Sequence, residues 1–125
     1  GFHVNSIMPF QLTKALLPAL KRAQNPRAVH VTSLMGSIAD NGSGGSYAYR
    51  ASKAALNMIS KCLSRDQSWL TSFVVHPGWV QTDMGGRGAP TPVAESARGI
   101  WTVIRSLTRE DSGGFKDFRG KDLPW

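Results

Sequence analysis

Two short runs, Ala28-Val29-His30-Val31-Thr32-Ser33 and Phe73-Val74-Val75, lack the polar–apolar alternation of a half-solvated strand. Strands without that alternation are covered on both faces, the condition of a parallel sheet. Around them lie segments of helical spacing. Ser6 to Arg22 puts Ile7, Phe10, Leu17 and Leu20 near one face, with Ala15 and Leu16 adding apolar area. Pro9 suits a first turn, whereas Pro18 is expected to kink or shorten the helix. Lys21 and Arg22 suit its C-terminal end, and Gln24-Asn25-Pro26 reads as a turn. Ser46 is placed to cap a helix from Tyr47 to Ser64, in which Ala51, Ala55, Met58 and Cys62 form a stripe expected to pack closely on the sheet or on a partner helix. A third helix, Val93 to Leu107, presents Ala97, Ile100, Trp101 and Ile104. Gly113-Gly114 ends it, and Phe115 to Phe118 reads as a short last strand. This alternation predicts an α/β fold with parallel pairing and right-handed crossovers.

The 125 residues make one domain or part of one. An apolar fraction of 41% is too high for a disordered chain. A single cysteine, Cys62, rules out an internal disulfide and fits a reducing, cytoplasmic compartment, where a lone Cys is usually a small buried hydrophobe. No stretch approaches the ~18 apolar residues of a membrane span, and no signal peptide is visible, so no membrane partner is expected. Fifteen basic and eight acidic residues give a net charge of +7, which attracts anions such as a phosphorylated cofactor or nucleic acid. The basic residues are scattered, with no run longer than Lys21-Arg22 and no nucleic-acid motif, so no nucleic-acid partner is expected. Asp40 to Gly45 is a glycine-rich loop without the spacing of a phosphate loop, and reads as a lid or a connector.

Tyr49 and Lys53 are four residues apart within the second helix, so both fall on one face, one turn apart. A free phenol titrates near ~10, and an ammonium held beside it favours the phenolate. A Tyr tuned in this way can exchange a proton with a substrate oxygen, as interconversion of a carbonyl and an alcohol requires. The spacing alone also recurs as a surface Tyr beside a solvated Lys. Ser33 and Ser37 are hydroxyls near the end of the first strand, where open α/β sheets present functional groups. Asn5 heads the first helix, where it would also serve as an N-cap. Pro77-Gly78 turns the chain after the second strand and lets the backbone approach a ligand. Trp79, Met84, Met35 and Trp125 could line a pocket or simply pack. His30 and His76 read as structural, because no metal-ligand set surrounds either.

The order Asn5, strand-Ser33, Tyr49-x-x-x-Lys53, strand-Pro77-Gly78-x-Val80-x-Thr82 resembles the short-chain dehydrogenase/reductase family. Gly36 to Asn41, His76-Pro77-Gly78-Trp79-Val80-Gln81-Thr82-Asp83-Met84 and Gly120 to Trp125 look like its C-factor-like branch. The resemblance implies part of a doubly wound, Rossmann-like parallel sheet over residues 1–125. It also implies an NAD(P)-dependent oxidoreductase acting on a small carbonyl or alcohol substrate. In that reading Tyr49 is the general acid or base, and Lys53 lowers its pKa and reaches the nicotinamide ribose. Ser33 holds the substrate oxygen, and Asn5 orders a water that relays protons to the lysine. The Val80 backbone meets the nicotinamide carboxamide, and the Thr82 hydroxyl donates to the carboxamide or the pyrophosphate. NAD and NADP are both open, as is a homo-oligomer. The family's Gly-rich turn and its NAD-versus-NADP residue have no counterpart here, so the chain looks like the C-terminal half of such an enzyme. An exposed sheet edge, marginal stability and weak dinucleotide binding follow as expectations. The alternative reading is a non-catalytic interaction protein derived from the same family.

Overall fold

A computed structural model describes residues 1–86 and 88–125. A π-helical turn over His3–Ile7 leads directly into helix α1, Met8–Lys21. Pro9 sits in the first turn of α1, and Pro18 lies inside the helix without ending it. So close to the C-terminus a missing N–H removes a single ladder bond, and the helix continues. Strand β1 (Arg27–Val31), helix α2 (Tyr47–Asp66), strand β2 (Thr71–His76), helix α3 (Val93–Ser106) and strand β3 (Phe115–Asp117) complete the chain.

The sheet has the order β1-β2-β3 and both pairings are parallel, with Val29 opposite Phe73 and Val74 opposite Phe115. Helix α3 covers one face, where Val103 and Leu107 pack on Phe73 and Val29. On the other face Thr13 of α1 bonds His30 at 2.9 Å, and Ser60 of α2 bonds Ser72 at 3.0 Å. The result is an α/β/α arrangement. Strand β2 is central and buried from Thr71 to Val75, as its unbroken apolar core predicts. One edge of β1 pairs with nothing among the described residues, and Val31 there is half exposed.

Helix faces depart from expectation. Ala51, Met58 and Cys62 are exposed and Ala55 is only partly covered, so that stripe is not the packing face and Cys62 is not a buried hydrophobe. The buried face of α2 is instead Ser52, Leu56, Asn57, Ser60 and Leu63, whose polar members bond across elements. In α3, Trp101 and Ala97 face solvent while Ser96 and Val103 are buried. Ile7 of the π-helical turn and Phe10 and Leu16 of α1 are exposed, and a groove of about 560 Å³ runs between α1 and β1. No helix among the described residues is long and apolar enough to cross a membrane.

Candidate active site

The first wall of the site is the exit from β1. Ser33 is extended and caps a 3-10 turn over Leu34–Gly36, its Oγ accepting the Met35 N–H at 3.1 Å. That leaves the hydroxyl hydrogen of Ser33 available to a ligand. Ser37 is buried and its Oγ accepts the Asp40 N–H, so this serine serves its own loop. The turn lies hard against α2. A Cβ on Gly36 would sit 2.9 Å from the backbone and Cβ of Lys53, which explains a residue without a side chain there.

Helix α2 brings Tyr49 in its first turn and Lys53 one turn later. The Lys53 Nζ lies 5.8 Å from the centre of the Tyr49 ring and donates to the Val31 carbonyl at 3.3 Å. Burial makes the charged ammonium costly and lowers the Lys53 pKa. Ser46 does not cap the helix through its side chain; it takes a left-handed conformation (φ 48°). Arg50 ties the preceding loop down instead, donating to the Gly45 carbonyl and to Ser43 Oγ. Asn5 is likewise no N-cap. It lies inside the π-helical turn, where its Nδ2 donates to Ser52 Oγ at 3.0 Å. Ser52 in turn donates to the Tyr49 carbonyl at 2.8 Å, so Asn5 is tied to the backbone carrying Tyr49.

The opposite wall is the segment after β2. Gly78 has φ 85°, and a Cβ there would stand 2.7 Å from the Phe118 ring. Gly78→Ala therefore adds backbone strain to a clash, and a loss of about 1–3 kcal/mol is expected in urea unfolding. Beyond it, Val80 bridges Thr91, and the Trp79 indole N–H donates to the Gly85 carbonyl at 2.8 Å. The Val80 carbonyl accepts the Thr82 N–H, while the Val80 N–H has no partner among the described residues. Thr82 Oγ1 accepts the Gly85 N–H at 3.1 Å, which leaves its own hydrogen to donate.

These walls enclose one cavity of about 840 Å³, lined by Ser33, Tyr49, Pro77, Gly78, Val80 and Thr82 together with Met35, Trp79, Met84, Val93 and Ile100. Lys53 and Asn5 stand behind the wall. Trp125 is elsewhere, its ring 5.2 Å from that of Phe115. The sequence offers Gly36 only as the end of the Ser33-x-x-Gly36 pattern, and it gives no cue to Ser52, a small residue whose partner Asn5 is distant in the chain. Sequence reasoning also left His76 as merely structural, and that side chain lines the cavity. Among the described residues no cluster of His, Cys, Asp and Glu is placed to hold a metal ion.

Burial lowers the pKa of His30, and that of His76 too, where Asp117 and Asp40 only partly offset it. The His30 Nδ1 is buried without a partner among the described residues, so a proton there has nowhere to bond. Between these depressed values and the ordinary 6.5, the unfolded chain binds more protons than the folded one. Stability from the neutral imidazoles is thus full above 6.5 and falls as pH drops through the folded values. The urea midpoint is expected to be lower near pH ~5 than near pH ~7, and a double His30→Asn, His76→Asn variant should flatten that slope.

A family model described as short chain dehydrogenase matches residues 1–91. The chain belongs to the short-chain dehydrogenase family. Within that family it is 48% identical to the C-signal protein of Myxococcus xanthus, over 99% of this chain and 76% of that one. It is 35% identical to the short-chain dehydrogenase srdF of Neurospora crassa, over 100% of this chain and 55% of that one. Among solved structures, the carbonyl reductase Sniffer of D. melanogaster superposes with a TM-score of 0.96 at 39% identity. An NADPH-bound carbonyl reductase from chicken fatty liver superposes with a TM-score of 0.92 at 36% identity. Each superposition covers 99% of this chain and 55% of the other. The chain thus spans little more than half the length of srdF and of the two carbonyl reductases, and about three quarters of the C-signal protein.

Proposed function

We propose that the chain carries the proton-transfer and nicotinamide-facing part of an NAD(P)-dependent carbonyl reductase. The observation that supports this most is the convergence of Ser33, Tyr49 and the Pro77–Thr82 segment on one cavity, with Lys53 immediately behind Tyr49.

The residues present suit the nicotinamide end of such a cofactor. The Val80 N–H is a half-buried donor without a partner among the described residues, Thr82 has a free hydroxyl hydrogen, and Gly78 leaves the space a Cβ would fill. The bound cofactor would supply the hydride. The Ser33 hydroxyl would donate to the carbonyl oxygen and polarise it. Tyr49 Oη would give its proton to that oxygen as charge develops, and the Lys53 ammonium would favour the phenolate left behind. Asn5, through Ser52, would keep the first turn of α2 in place. A proton taken up from solvent would restore Tyr49, and in alcohol oxidation the same groups would run in reverse, with the phenolate taking the alcohol proton. The outer wall of Met35, Trp79, Met84, Val93 and Ile100 is apolar, and no charged side chain lines the cavity among the described residues. An uncharged apolar ketone or quinone suits it better than a keto acid or a phosphorylated sugar.

A second reading is an interaction protein. It draws on the exposed Phe10, Leu12 and Leu16 of α1 beside the unpaired edge of β1. NADPH and NADH oxidation with a panel of ketones and quinones separates the two. The assay uses this chain alone and joined to the N-terminal half of a relative. Turnover in the joined protein supports the reductase. No turnover in either, with both folded, favours the interaction protein.

A further inference from the structure

His76 belongs to no part of the proton-transfer set, yet it reaches that set through one hydrogen bond. It is the last residue of β2, lies opposite Asp117 of β3, and lines the cavity between Ser33 and Pro77. Its Nδ1 accepts the Leu34 N–H at 3.1 Å. An imidazole that accepts at Nδ1 carries its hydrogen on Nε2. The turn it holds is the one that presents Ser33. There the Met35 N–H goes to Ser33 Oγ, the Gly36 N–H to the Ser33 carbonyl and the Ser37 N–H to the Leu34 carbonyl. Those bonds are internal to the turn. Among the described residues the Leu34 bond ties the turn's first residue to β2, while Arg50 Nη1, donating to the Met35 carbonyl at 3.4 Å, ties the turn to α2.

We propose that His76 is a positioning residue: by accepting the Leu34 amide hydrogen, its Nδ1 fixes the turn that aims the Ser33 hydroxyl, and a proton on that nitrogen undoes the hold. The chemistry leaves no alternative pairing at that nitrogen. Protonated imidazole is a donor at both nitrogens, so Nδ1–H would face Leu34 N–H, donor against donor. A half-buried amide would then lose its partner, and Ser33 would move with its turn.

Burial and the surrounding charges act on this nitrogen in opposite directions. Asp117 faces His76 from β3, Asp40 from the loop after Ser37, and Tyr49 shares the cavity from α2; α3 contributes Ser96 and Ala97 and no charge. Asp117 is already engaged, its Oδ1 accepting the Arg119 and Lys121 amides at 2.9 Å each. Burial outweighs both carboxylates, so His76 stays neutral below the ordinary 6.5. The hold therefore persists at neutral pH and fails only in acid.

The catalytic consequence rests on the reductase reading; the hydrogen bond does not, and the test separates them. In the full chain, ¹⁵N NMR should find His76 Nδ1 unprotonated at neutral pH. The Leu34 amide resonance should move on acidification with the midpoint of the His76 ring. His76→Asn, whose side-chain oxygen can take the place of Nδ1 as acceptor without titrating, should leave the Leu34 resonance flat over the same range. In the protein that reduces ketones, wild type should lose roughly tenfold to a hundredfold in kcat across that midpoint, as a displaced catalytic group does. His76→Asn should keep its activity there, and His76→Leu should be low at every pH. A protonated Nδ1 at neutral pH, or a Leu34 amide indifferent to His76, would overturn the proposal. So would an acid limb that survives unchanged in His76→Asn. Failure of every form to reduce ketones, with the Leu34 response intact, would instead sink the reductase reading and the catalytic role with it.

Discussion

Tyr49→Phe is expected to lower the rate of ketone reduction by about 10²- to 10⁴-fold, the usual worth of a positioned general acid. The loss should appear in kcat, measured by NADPH oxidation at saturating ketone, with KM changed little. The ring would still line the cavity, and only the proton donor would be gone. Folding should be spared, because the Tyr49 hydroxyl bonds to no described residue and its removal strands no buried partner. Ser33→Ala is the natural comparison. It also removes the acceptor of the Met35 N–H, so part of its loss would be structural, which makes Tyr49→Phe the cleaner test. A Tyr49→Phe enzyme within a few-fold of wild type would mean that another group supplies the proton, and the proton-transfer assignment would fall.

The grouping of the candidate site residues was more legible in the sequence than the packing, for a physical reason. Tyr49 and Lys53 are one helical turn apart, and Ser33 and Pro77-Gly78 each sit at the end of a strand. Local geometry therefore sets all these positions, and the family resemblance, more than the spacing, marks them as candidates. The cavity that unites them follows from parallel pairing, which brings the ends of β1 and β2 together. What escaped is what depends on bonds between distant segments. The buried face of α2 was misassigned because Ser52, Asn57 and Ser60 look like surface residues until Asn5, Thr32 and Ser72 arrive to bond them. A hydrophobicity pattern sees Ala51, Ala55, Met58 and Cys62 instead, of which Ala55 is partly covered and the others face outward.

The same limit applies to β2. Its first two residues, Thr71 and Ser72, were not read as strand, yet both are buried. Ser72 N–H donates to Ser112 Oγ at 3.0 Å and its hydroxyl to the Ser60 carbonyl at 2.9 Å. Polar groups so paired are no more costly inside than apolar ones, and nothing in their immediate neighbours signals it. His76 is a third instance, since the Leu34 amide it accepts lies 42 residues away in the chain. Ser96 is a fourth: its hydroxyl donates to the Pro77 carbonyl at 2.6 Å and fixes the corner on which Gly78 turns.

Phe73→Ala is expected to unfold the chain outright at moderate temperature. Phe73 is fully buried in the middle strand and forms one core cluster with Val103 of α3 and Leu107 just beyond it, against which Val29 of β1 packs. Gly114 packs so closely on its ring that a Cβ there would stand 2.5 Å from Phe73 Cε2, so the ring fills its space on the β3 side too. Truncating a buried Phe costs about 3–5 kcal/mol through lost transfer energy and the cavity left behind. A whole domain is commonly stable by only about 5–15 kcal/mol, and small domains fall at the low end because they bury a smaller share of their surface. Here one edge of β1 pairs with nothing among the described residues and several apolar side chains of α1 are exposed, so a small reserve is expected. Near-ultraviolet circular dichroism of Phe73→Ala should lose its fine structure where wild type retains it. Phe73→Leu, which keeps most of the volume, should retain a cooperative transition at a lower midpoint. A Phe73→Ala chain that melts cooperatively near the wild-type temperature would mean that the core between the sheet and α3 is not what holds the fold together.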